Sequence, residues 1–226
     1  MQIYGQRIAG VGFDLDGTLI RTEELNLRAA TRTCERFDIP YVPRSPRELF
    51  GMTNTALFRL ITERFGMGRA ESIGVLCAYK REYYISHLAE AEPVPDAVAF
   101  VRAVWKLGVP TAVATAASNE SLDAALRALG LEREKFSVLL PADALPHRSA
   151  KPDPYHWQEA ARLCGVPPRE FLVVEDSPRG IMSSAGAGCF TCGITTTHSA
   201  AELWTAAAEI VVPSFRELAD VLGVDL

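Results

Sequence analysis

The chain has 226 residues, 48% hydrophobic and 23% charged, which gives it ample apolar material for a buried core and the make-up of a globular protein. Its 28 acids against 23 bases, a net charge of -5, exclude the basic face that nucleic acid or an anionic membrane would require, so a small-molecule partner is expected. No apolar run approaches the roughly twenty residues that span a bilayer, and the opening MQIYGQRIAG lacks the apolar centre of a signal peptide, which points to the cytosol.

The first predicted strand, Ile8 to Phe13, ends abruptly on Asp14, Leu15 and Asp16, followed by Gly17. The next apolar run, Thr111 to Ala114, lies much farther on than the dozen or so residues of a crossover helix would place it. Pro95 to Leu107 reads as the crossover itself, which leaves residues 21–92 as an insertion. Its segments Glu24 to Phe37, Arg47 to Phe65 and Ala70 to Ala89 are rich in good helix formers, with the Pro-rich Ile39 to Pro46 as a loop between them, and predict a small helical cap. Boundaries are expected near Thr22 and Pro93, giving a core of residues 1–20 and 93–226.

Beyond the insertion, helical stretches alternate with short strands. Glu120 to Leu129 precedes the strand Val138 to Leu140, and Pro154 to Cys164 precedes Phe171 to Val174. A helix start follows at Ser177 and Pro178, then strands at Cys189 to Ile194 and Ile210 to Val212, and a last helix at Phe215 to Leu222. That rhythm predicts an α/β fold, a parallel sheet covered by helices. The five cysteines are an odd, scattered set and are expected to be reduced and buried; Cys189 and Cys192 form a CxxC, but on a strand a spacing of three sends them to opposite faces.

Ligands of an open parallel sheet bind outside the carboxyl ends of its strands. There the chain places Asp14 and Asp16, Thr115, Lys151 in the loop RSAKPDP, and Glu175 with Asp176. Taken singly they have ordinary readings: Thr115 alone means nothing, Lys151 is a solvated lysine, and Asp176 or Ser177 is a helix cap. An EF-hand is a poor match, since Gly17 stands fourth after a strand rather than sixth in a loop after a helix. Convergence of four distant segments on one sheet edge favours a chemical role. Strand periodicity would start Asp14 and Asp16 on the same side, with Gly17 turning the chain away.

The same residues carry a resemblance. FDLDGTL, VATAASN, AKPDP and VVEDSPRG resemble, in order, the four motifs of the haloacid dehalogenase-like hydrolase superfamily, with a helical cap inserted between the first two. Family members of this kind include sugar-phosphate phosphatases, phosphoglycolate phosphatases and β-phosphoglucomutases. The resemblance implies a Rossmann-like core and transfer of a phosphoryl group to Asp14 as nucleophile, with Asp16 as general acid and base. It implies Mg²⁺ held by Asp14, Asp176 and the main-chain carbonyl of Asp16, with Glu175 acting through water. Lys151 and Thr115 would hold the transferring oxygens.

Because Asp16 is present, the resemblance favours phosphoryl transfer over carbon–halogen or carbon–phosphorus cleavage. β-Phosphoglucomutases carry a histidine twelve residues beyond the nucleophile, where this chain has Asn26, and an arginine in the cap loop, where FGMTNTAL has Asn54. A phosphatase is therefore expected, acting on a small phosphorylated metabolite, with a phosphomutase as the alternative and a non-catalytic phosphate-binding module as the third reading. Substrate contacts are expected from Asn26, Gly51, Thr53, Asn54 and Lys80 in the cap and from Ala116, Ser118 and Asn119 in the core. Arg21 and Arg59 are further candidates for an anionic substrate, either being more often a solvated helix residue. A monomer is expected, a weak homodimer being the alternative.

Overall fold

A computed structural model describes residues 1–41, 53–144 and 150–226. The chain opens with a hairpin of two short antiparallel strands, β1 (Gln2–Ile3) and β2 (Gln6–Arg7). Its turn is Tyr4 and Gly5, both with positive φ (47° and 83°), the twist that a two-residue hairpin loop demands. Then comes β3 (Gly10–Phe13), wholly buried.

Residues 22–91 form a compact unit of their own, and residues 1–21 with 92–226 form the other. The smaller unit is helical: α1 (Glu23–Arg36), α2 (Asn54–Phe65) and α3 (Ile73–His87), with α3 packed on both α1 and α2. Thr53 caps α2 by accepting from the Ala56 amide at 3.2 Å, and Ser72 caps α3. Ala30, Cys34, Leu57, Phe58, Ile61 and Leu76 form its apolar centre. Helical periodicity therefore buys this unit a core separate from that of the sheet.

In the larger unit the chain continues through α4 (Ala97–Lys106), β4 (Thr111–Ala114), α5 (Asn119–Leu129), β5 (Val138–Leu140), α6 (Tyr155–Leu163) and β6 (Phe171–Glu175). It ends with α7 (Pro178–Gly186), β7 (Phe190–Ile194), α8 (Ala200–Thr205), β8 (Ile210–Val212) and α9 (Phe215–Leu222). The described residues form a parallel sheet in the order β5-β4-β3-β6-β7-β8. This is the expected α/β, Rossmann-like architecture. Trp157 of α6 packs with Ala112, Phe171, Val173 and Cys189 in one apolar cluster; Phe13, Phe100 and Phe215 meet ring to ring, with centroids 5.4–6.4 Å apart. The five cysteines are free, and burial pushes the thiols of Cys189 (to about 12) and Cys192 upward.

The order of the strands decides where chemistry can occur. From β3 the chain moves outward through β4 and β5, then returns to lay β6 on the other side of β3 and moves outward again. The reversal falls between β3 and β6, and the crevice beyond their carboxyl ends is where this architecture takes a ligand.

Candidate active site

The register places the acids beside one another. Phe13 pairs with Val174 and with Val113, so the residues just past them, Asp14, Glu175 and Ala114, emerge side by side. The Asp14 amide donates to the Val174 carbonyl at 3.1 Å, which carries the ladder one residue beyond β3. Asp14 and Asp176 are 8% and 5% exposed and Glu175 is fully buried, an arrangement that three carboxylates tolerate only with compensating charge.

One compensating charge is Lys151. Its Nζ donates to Asp14 Oδ1 and to Glu175 Oε1, each at 2.5 Å, and to the Ala114 carbonyl at 3.1 Å. The ammonium also lies 5.0 Å from the centre of the Trp157 ring, a cation–π contact from below. Burial alone would lower its pKa, but Asp14 and Glu175 outweigh that and raise it, so Lys151 is charged throughout the physiological range. The loop that bears Lys151 is held by α7: Arg179 donates to the Lys151 carbonyl and the Ser183 hydroxyl to the Asp153 carbonyl at 2.6 Å.

Among the described residues, Lys151 bridges two of these three acids. Burial pushes Asp14 up to about 7 against the pull of Lys151, with the charges of Asp176 and Asp16 adding to the rise. Burial likewise raises Glu175, whose Oε2 has no hydrogen-bond partner among the described residues. Asp14, Glu175 and Asp176 each present a carboxylate oxygen within 4.8 Å of the others. Buried negative charge, hard oxygen donors at that spacing and an unpaired carboxylate oxygen together fit a divalent cation such as Mg²⁺.

Asp16 is half-buried, past the end of β3, and its carboxylate is not part of that cluster. Gly17, with φ 77°, turns the chain, and its amide donates to the Ile20 carbonyl at 2.8 Å. Thr115 is buried, and its Oγ1 accepts from the Ala117 amide at 3.0 Å, which leaves the hydroxyl proton free to be donated. Ala116 is exposed beside it. Ser118 caps α5 by accepting from the Ser121 amide at 3.3 Å, and the Asn119 side chain accepts from Arg133.

In the helical unit, the buried Lys80 donates to Asn26 Oδ1 and, at 2.7 Å, to Asn54 Oδ1. Three of the candidates from that unit are thus one cluster, with Thr53 next to it as the α2 cap; Gly51 lies outside the described residues.

Sequence reasoning passed over Thr18, Thr197 and His198. The Thr18 hydroxyl donates to Asp176 Oδ1 at 3.1 Å and that of Thr197 to Asp176 Oδ2, while His198 Nδ1 lies 3.0 Å from the Asp176 carbonyl. The run TTTHS behind a strand was the available signal, though it differs little from any polar turn.

The chain is 30% identical, over 91% of its length and 93% of theirs, to validoxylamine A 7'-phosphate phosphatase of Streptomyces hygroscopicus subsp. limoneus. It is 30% identical to a phosphoglycolate phosphatase of Neisseria meningitidis, over 84% of this chain and 81% of that one. Among solved structures, CbbY of Rhodobacter sphaeroides in complex with xylulose-(1,5)bisphosphate superposes with a TM-score of 0.85 at 28% identity, covering 97% of this chain and 100% of that one. The description haloacid dehalogenase-like hydrolase matches residues 11–194, which include Asp14, Thr115, Lys151 and Asp176, and the chain belongs to that family.

Proposed function

We propose that the chain is a Mg²⁺-dependent phosphatase that hydrolyses a small phosphorylated metabolite through a phosphorylated Asp14. The observation that carries the reading is the bridge from Lys151 to Asp14 and Glu175 inside a buried acidic cluster. The relatives' names, phosphatases of validoxylamine A 7'-phosphate and of phosphoglycolate, support the substrate class.

Asp14 and Asp176, with the main-chain carbonyl of Asp16, would hold Mg²⁺, and Glu175 would act on it through water. Bound Mg²⁺ supplies the charge that keeps Asp14 ionised at neutral pH and offsets the phosphoryl oxygens. The Asp14 carboxylate attacks phosphorus as the ester P–O bond breaks, and protonated Asp16 delivers its proton to the departing oxygen. Asp16, now ionised, takes a proton from the water that attacks the phosphoryl group; the bond to Asp14 breaks, and inorganic phosphate leaves. Lys151 and the Thr115 hydroxyl hold the transferring oxygens during both steps. Asn26, Asn54 and Lys80, with Gly51 and Thr53, are proposed to bear on substrate choice, as are Ala116, Ser118 and Asn119.

The test is phosphate release from a broad panel of esters, p-nitrophenyl phosphate included. Turnover should require Mg²⁺, stop with EDTA, and be abolished in Asp14→Asn, which keeps the side-chain shape but removes the nucleophile. A purified wild-type chain inert on the whole panel with Mg²⁺ present would end the phosphatase reading.

A further inference from the structure

We propose that Thr197 is a positioning residue for Asp176: together with Thr18 and His198 it holds that carboxylate in the orientation in which the site takes up a divalent cation. The proposal rests on the phosphatase reading and adds to it Thr197 and His198 from outside the four motifs, and Thr18 from within the first.

After β7 the chain turns tightly, with the Thr196 amide donating to the Ile194 carbonyl at 3.0 Å and the Thr196 hydroxyl to the Gly17 carbonyl. The turn brings Thr197 Oγ1 against Asp176 Oδ2, 3.1 Å from the Asp176 carbonyl and 2.8 Å from His198 Nδ1. These contacts assign the protons. A hydroxyl has one proton, and of its neighbours the carboxylate is the strongest acceptor, so the Thr197 O–H donates to Asp176 Oδ2. The Asp176 carbonyl only accepts, so His198 Nδ1, 3.0 Å away, carries a proton and shares it with that carbonyl and the Thr197 oxygen. Thr18, with no exposed surface, donates to Oδ1 at 3.1 Å.

Each oxygen of Asp176 therefore receives a hydroxyl, Oδ1 from Thr18 and Oδ2 from Thr197. Restraint is needed there, because Asp14 and Glu175 present their oxygens within 4.8 Å and like charges would swing a free carboxylate away. A hydroxyl orients a carboxylate without neutralising it, as the outer partners of metal ligands do.

The experiment is calorimetric titration of the metal-stripped chain with Mg²⁺ alone, for wild type, Thr197→Val and Thr197→Ser, with far-UV circular dichroism as the check on folding. Valine keeps the shape and removes the hydroxyl, and Kd should rise by about ten- to a hundred-fold. Serine keeps the hydroxyl and should restore most of the affinity. A Kd in Thr197→Val equal to that of wild type would overturn the proposal, and a lowered melting temperature at unchanged Kd would assign Thr197 a merely structural part. If the valine variant did not fold, His198→Phe carries the test: a smaller loss of affinity is expected, and an unchanged Kd would count against the proposal. A wild-type chain that neither bound Mg²⁺ nor hydrolysed esters would remove the phosphatase reading and this inference with it. Wild-type binding with an indifferent Thr197→Val would remove this inference alone.

Discussion

Asp14 carries the plainest energetic consequence of the site. Its carboxyl is raised from 3.8 to about 7, so between those values the native chain holds a proton that the unfolded chain has lost. Stability of the metal-free protein then falls as pH rises through that window, and Glu175, also raised, acts in the same direction. His156 opposes them: burial first, then the charge of Lys151, lowers it from 6.5 to about 4, so the unfolded chain gains its proton first as pH falls and stability drops below the ordinary histidine range. The Mg²⁺-dependent part separates the two, since His156 is common to both forms of the protein. The rise in melting temperature on adding Mg²⁺ should be small near about pH 5 and larger near about pH 8, where the carboxylates lack their protons. An increment independent of pH would mean that burial of Asp14 is not what the cation relieves.

Among the elements, α7 is the one built most tightly around the chemistry. Ser177 caps it, accepting from the Gly180 amide at 3.1 Å, and Pro178 occupies the first turn where no amide is needed. Gly180 leaves room for the Glu175 carboxylate: a Cβ there would stand 1.9 Å from Oε2 and 2.0 Å from Cδ. Glu175 has no surface exposure, so it cannot swing into solvent to make way. Gly180→Ala should therefore displace Glu175, break its contact with Lys151, and lower stability by roughly 1–3 kcal/mol, the usual cost of overpacking. Chemical denaturation and phosphate release would both register it. A variant with wild-type stability and rate would show that α7 shifts as a body without disturbing the acids.

For the molecule as a whole, the chain leaves the core and returns to it at adjacent points. The Arg21 amide donates to the Glu92 carbonyl at 2.8 Å, and Ile20 bridges to Pro93, so the two ends of the core segments lie side by side. Each unit has its own apolar centre. Replacing residues 22–91 with a short Gly/Ser link should leave a core that unfolds cooperatively and still binds Mg²⁺, while preference among phosphate esters narrows toward none. The measurements are a denaturant melt, a Mg²⁺ titration and kcat/KM across the ester panel. Undiminished discrimination would move substrate choice to the core loop around Ala116, Ser118 and Asn119.

Much of this was legible in the residue order. The strands Thr111–Ala114, Val138–Leu140 and Ile210–Val212 have the bounds that their apolar runs suggest, because an unbroken apolar stretch between turn residues has few other ways to bury itself. Acids that stop such a run must lie at its end, which is why Asp14, Glu175 and Asp176 could be named as a group. Local chemistry failed where pairing was not local. Ile8 belongs with Met1, its amide on the Met1 carbonyl at 2.9 Å, and Ala9 with Glu170 at 2.8 Å, so β3 begins only at Gly10. The hairpin before it has too few residues for any periodicity to register.

The same distinction runs through the site. Asp14, Asp16, Lys151 and Asp176 stand in compact motifs whose spacing carries a meaning that neighbours along the chain can express. Thr18 reaches Asp176 across 158 positions and Thr197 across 21; Thr18 stands inside FDLDGTL, but nothing along the chain points it at Asp176, and nothing beside Thr197 marks it as different from other threonines. Ser118 and Asn119, read as substrate contacts from their motif, also serve the start of α5 through a cap and a bond from Arg133. Motif residues are set by bond geometry within a few positions. Their partners are set by which strands lie side by side, and that order follows from burying both faces of the sheet at once, a condition satisfied only by the folded chain.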